Sequence, residues 1–72
     1  MKVTSITNAP LFVEIEDIAL IWDCDDPIIK ARSCIQTHEG AVLHVKESKE
    51  LLREMIAKIE YQAGVSIDYK ER

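Results

Sequence analysis

Seventy-two residues allow one domain at most and exclude folds that need more chain, such as a dinucleotide-binding domain, a kinase or a barrel enzyme. With 47% hydrophobic and 31% charged residues, the composition is that of a globular protein and not of a disordered one. The net charge of −4 carries no basic footprint for nucleic acid.

Lys2 to Thr7 alternates and is β-branched, which predicts a short strand. Asn8-Ala9-Pro10 breaks it, and Leu11 to Ile15 predicts a second strand. Glu16-Asp17 marks a turn or bulge. Beyond it Ile18, Leu20 and Trp22 take over the apolar alternation. Ile18 to Trp22 is apolar throughout, as in a central strand covered on both faces. Asp23-Cys24-Asp25-Asp26-Pro27 reads as a turn. Ile28 to Thr37 suits an extended strand with Ile29, Ala31, Ser33, Ile35 and Thr37 on one side.

His38-Glu39-Gly40 then leads into a strand from Ala41 to Lys46. A two-residue loop would set Cys34 and Gln36 beside Leu43 and Val45, mixing polar with apolar side chains. A three-residue loop with Gly40 in the left-handed conformation pairs Thr37 with Ala41 and gives one coherent apolar face, so it is the expected register. Ser48 is an N-cap candidate, and the period then turns helical: Leu52, Met55, Ile56, Ile59 and Ala63 form a stripe with Leu51 at its edge. Gly64 fits the C′ position that ends a helix. Val65 to Tyr69 alternates as an edge strand would, and Tyr69 to Arg72 reads as a frayed end.

These elements predict an α+β domain spanning 1–72: a small antiparallel β-sheet of three to five strands with one C-terminal amphipathic helix packed on one face. Nothing in the chain covers the other face, so Trp22, Val42 or Ile21 would stay wet there, which calls for a partner or a second copy. A domain this small is marginal alone, and a homodimer or other protein contact would supplement its core. The opposing reading is that the tail and loops cover that face. Charge is uneven. Residues 1–27 carry one basic and six acidic groups; residues 28–72 carry eight basic and seven acidic. Such an acidic front steers a partner or serves solubility.

No apolar run approaches the roughly 18 residues of a membrane span, and Met1-Lys2-Val3 opens no signal segment. The expectation is a cytoplasmic protein with reduced thiols at Cys24 and Cys34.

Candidate chemistry is sparse. Asp23, Asp25 and Asp26 have the composition of a hard-cation site but lack the glycine and distal glutamate of a calcium loop; a solvated turn is the plainer reading, and no metal is expected. Cys34 faces His44 in the expected register. A zinc site wants four ligands and a thiol hydrolase wants a cleft, so neither enzyme nor cofactor is expected. Trp22, the sole tryptophan, is either core or an interface anchor. Lys46, Lys49 and Arg53 could meet an anion at the helix start, but Glu47 and Glu50 oppose it. The expected partner-binding residues are therefore Trp22, Val42, Asp23, Asp25 and Asp26.

Two segments together carry a resemblance. Leu11 to Ile21 reads as strand, acidic turn, strand, and Ala41 to Ser48 ends in Val45-Lys46-Glu47-Ser48 before an amphipathic helix. Over residues 11–60 this order resembles the small FlbD/SwrD flagellar and swarming motility family. The stretch from Asp23 to Arg32 and the tail after Ile59 are longer than in that family, and Thr7-Asn8-Ala9-Pro10 replaces its usual opening turn. The resemblance implies a non-enzymatic accessory protein. Two function classes follow: a bacterial regulatory protein working through protein contacts on the free sheet face, or a phage-encoded acidic inhibitor occluding a basic site with Glu14, Glu16, Asp17, Asp23, Asp25 and Asp26.

Overall fold

The computed structural model describes residues 1–72 as an α+β fold of six strands and one helix. β1 (Lys2–Thr4) and β2 (Pro10–Phe12) form an antiparallel hairpin, and a short 3₁₀ turn (Ile15–Asp17) leads into β3 (Ile18–Asp23). β4 (Ser33–Thr37), β5 (Val42–Val45), α1 (Lys49–Ala63) and β6 (Lys70–Glu71) follow. The larger sheet has the order β5-β4-β3-β6; its strands are antiparallel except β6, which runs parallel to β3. A Ser5–Val45 bridge and a 2.9 Å bond from the Lys46 N–H to the Thr4 carbonyl join the hairpin to β5, so the two sheets make one curled layer.

The concave side of that layer holds the core. Val3 and Val13 from the N-terminal region, Ile15, Ile18 and Ile21, then Ile35 and Val45, close around Leu52 and Ile56 of α1. The helix begins where expected. Ser48 is extended, and its hydroxyl accepts from the Leu51 N–H at 3.1 Å, satisfying one of the free donors of the first turn. It ends at Gly64, whose φ of +68° suits a residue without a Cβ and turns its N–H back to the Glu60 carbonyl. Of the predicted stripe, Leu52 and Ile56 are buried, Met55 and Ile59 half-buried, and Ala63 exposed.

The β4–β5 register is the one that a three-residue loop demands. The Thr37 N–H donates to the Ala41 carbonyl at 2.9 Å, Ile35 pairs with Leu43, and Gly40 stands at φ +95°. Five expectations need correction. A register shift between Ile18 and Leu20 breaks the alternation, so Ile18 and Ile21 both point into the core while Leu20 and Trp22 point out. Ile21, 1% exposed, is therefore not on the wet face. The strand expected over 28–37 begins only at Ser33: Pro27 lacks an N–H, and the Asp26 carboxylate takes the Ile28 N–H at 2.9 Å, turning the chain out so that Ile28 is 87% exposed. The edge strand expected over 65–69 lies at Lys70–Glu71 instead, because the Glu60 carboxylate claims the Ile67 N–H at 2.7 Å and holds that stretch off the ladder. The C-terminal residues are not frayed. Glu71 takes a bidentate pair from Arg53, and the Arg72 N–H donates to the Ile21 carbonyl at 2.9 Å.

Candidate functional site

Ladder partners project to the same side of a sheet. The pairs Leu20–Gln36, Trp22–Cys34, Cys34–His44 and Gln36–Val42 therefore set one continuous patch on the convex face. No strand or helix lies across it. The Arg72 guanidinium stands 5.0 Å from the centre of the Trp22 ring in a cation–π contact; Trp22 is half-buried, and Cys34 at the centre of the patch is 3% exposed. Val42 is 43% exposed at the far end of the patch. Two of the expected partner-binding residues, Trp22 and Val42, thus share a face, separated by β4.

The acidic residues do not form one surface. Asp25 and Asp26 are exposed in the turn that follows β3. Asp23 pairs with Ser33 on the concave side, and its carboxylate lies 3.8 Å from the Lys49 ammonium at the helix start. Glu14, Glu16 and Asp17 sit at the opposite end of β3, about 16 Å away at ~3.3 Å per strand residue. The cations around the helix start are likewise engaged within the chain: Lys46 with the Asn8 side chain, Lys49 with Asp23, and Arg53 with Glu71.

Cys34 and His44 are direct cross-strand partners, as expected from the register. Burial pushes the Cys34 thiol up to about 11, helped by the neighbouring Cys24 thiol. A thiol so disposed is protonated at neutral pH, the reverse of an activated nucleophile. His38 lies at the other end of β4, where its N–H donates to the Asp17 carbonyl at 2.8 Å, so it joins no cluster with Cys34. No three His, Cys, Asp or Glu side chains gather where an ion could sit, and the surface has no cavity or cleft.

The residues of Val45-Lys46-Glu47-Ser48 all serve the fold. Val45 is core, Glu47 accepts from the Thr4 N–H and hydroxyl at 2.8 Å each, and Ser48 caps α1. The Ser33 hydroxyl adds a 2.6 Å bond to the Glu47 carbonyl. Leu20, Gln36, Cys24 and Arg72 were not singled out from the sequence. The first two follow from the register once the bulge in β3 is known; Arg72 and Cys24 depend on how irregular segments return to the sheet, which leaves no periodic signal.

No helix is long and apolar enough to cross a membrane. In comparisons with family models, with curated proteins and with solved structures, the chain matches none.

Proposed function

We propose that this chain is a small non-enzymatic accessory or regulatory protein of a bacterium or its mobile elements. It works in the cytoplasm through protein contacts on the convex sheet face, with a second copy of itself as the first partner. The observation that carries this reading is the row of Leu20, Trp22, Gln36, Val42 and His44, part-exposed on the convex face and crossed by no strand or helix. Trp is also the residue type most enriched in interface hot spots. The more exposed Phe12, Ile28 and Tyr61 lie on three separate segments, β2, the β3–β4 connection and α1.

The charge-driven alternative, a phage-encoded acidic inhibitor, draws less support from this geometry, since its six carboxylates fall in two groups and Asp23 is turned toward Lys49. The likeness to the FlbD/SwrD proteins would place the accessory role in motility.

Sedimentation velocity over a concentration series, with circular dichroism to monitor the fold, tests the proposal. A dimer that tolerates salt and is lost in Trp22→Ala and Val42→Asp supports it. A monomer at every concentration overturns the homodimer. An interaction that collapses with salt and with Asp25→Asn and Asp26→Asn would favour the inhibitor reading.

A further inference from the structure

The two thiols of the chain lie together although ten positions separate them. Trp22 is the ladder partner of Cys34, and Cys24 lies two residues beyond Trp22. A 3.1 Å bond from the Cys24 N–H to the Arg32 carbonyl carries the β3–β4 pairing one step past the end of β3. That single bond keeps Cys24 beside the start of β4, about one diagonal step from Cys34. Cys24 is near enough to add to the upward push on the Cys34 thiol. Both are free, Cys24 half-buried and Cys34 3% exposed.

We propose that Cys24 and Cys34 form a modification site for hydroperoxides, closing to an intrachain disulfide on oxidation. The site lies on the same convex face as the proposed contact, but its chemistry needs only the free protomer. The half-exposed Cys24 is the thiol a small oxidant reaches first. Its thiolate sulfur attacks one peroxide oxygen; the S–O bond forms, the O–O bond breaks, and hydroxide leaves and is protonated by solvent. The Cys34 sulfur then attacks the Cys24 sulfenic acid. The S–S bond forms, the S–O bond breaks, and the departing hydroxyl takes the Cys34 proton as water. Two thiols are oxidised, and one hydrogen peroxide is reduced to two waters. Burial keeps the Cys34 thiol protonated and makes it the slower nucleophile, so it reacts second and gives up its proton only as the S–S bond forms.

Closure needs a small backbone movement. Diagonal neighbours stand roughly 7–8 Å apart, and a disulfide wants Cα atoms at about 4.4–6.8 Å. The movement falls on Cys24, which lies outside regular structure, and not on β4. The disulfide would fasten residues 25–33, where Asp25, Asp26 and Ile28 are exposed and no regular structure exists before Ser33. Cross-linking a loop restricts the unfolded chain, so oxidation should raise the melting temperature.

The full chain, reduced and then exposed to hydrogen peroxide, tests this by intact mass, peptide mapping and thermal melting. The expected product is a monomer lighter by two hydrogen atoms, with Cys24 joined to Cys34, reversed by a dithiol reductant and melting several degrees higher. Cys24→Ser changes a half-buried position, keeps the fold, and should abolish both the mass loss and the shift in melting. Cys24 carried on to sulfinic acid while Cys34 stays a free thiol would overturn the proposal. So would a predominant intermolecular Cys24–Cys24 product.

Discussion

The two faces of the β5-β4-β3-β6 sheet are built from alternate residues of the same strands, yet they have different fates. On the concave face Ile21, Ile35 and Val45 are sealed by α1 and the N-terminal hairpin. On the convex face their chain neighbours Trp22, Gln36 and His44 are half-buried, screened by one another and by Arg72. The difference teaches where stability and recognition are divided in a chain too short to have two cores. One helix supplies one apolar stripe, so one face is committed to folding and the other stays available.

The sharpest way to break that contrast is to truncate one residue from each face. Ile35→Ala, at a fully buried position, is expected to cost about 2–5 kcal/mol, a loss that urea melts will register as a lower midpoint. Val42→Ala, on the convex side, should cost well under half of that, because much of its surface is already wet. Equal losses at the two positions would erase the distinction between the faces.

Local conformational devices come next. Gly40→Ala places a side chain at φ +95°, where space is open but the backbone disfavours a Cβ; a loss of about 1–2 kcal/mol is expected, read by the same melts. Ser48→Ala removes the helix cap and should cost about 1 kcal/mol, with helix ellipticity falling before the sheet signal.

The smallest effect belongs to the tail. The hydrogen bonds from Arg53 hold the Glu71 carboxyl below its ordinary value. A carboxyl depressed on folding contributes stability that is present above the unfolded value and lost as pH falls through the folded one. The wild-type advantage over Glu71→Gln in melting temperature should therefore be present at neutral pH, vanish on acidification below about pH 4, and shrink with added salt, since the pair is largely solvated.

Much of the fold was legible because local periodicity carries it. The β4–β5 register follows from matching Ile35 and Thr37 with Leu43 and Val45, and Ser48 and Gly64 bracket the helix by their own chemistry. The shift in β3 was not legible: Ile18 to Ile21 is apolar at every position, so alternation cannot say which residue slips. Ile28 to Arg32 continues the strand pattern, yet Pro27 and the Asp26 side chain divert it. The docking of the tail rests on Arg53 with Glu71 and on Arg72 with Trp22, pairs far apart in the chain and without a period. Of the candidate site, Trp22 and Val42 share one face as their pairing implies, whereas the inward turn of Asp23 was invisible before its partner Lys49 was placed.

The curled layer bears on how this chain resists clumping. Its outermost strands are Pro10–Phe12 and Lys70–Glu71, short and opened by a proline and a lysine, while β5 is met by Ser5 at Val45. Fibril-forming segments commonly need six or seven residues of unpaired backbone to template a stacked array, and no rim of the folded molecule offers that length. Amyloid would have to start from opened chains, and intact protein held at high concentration should bind no thioflavin.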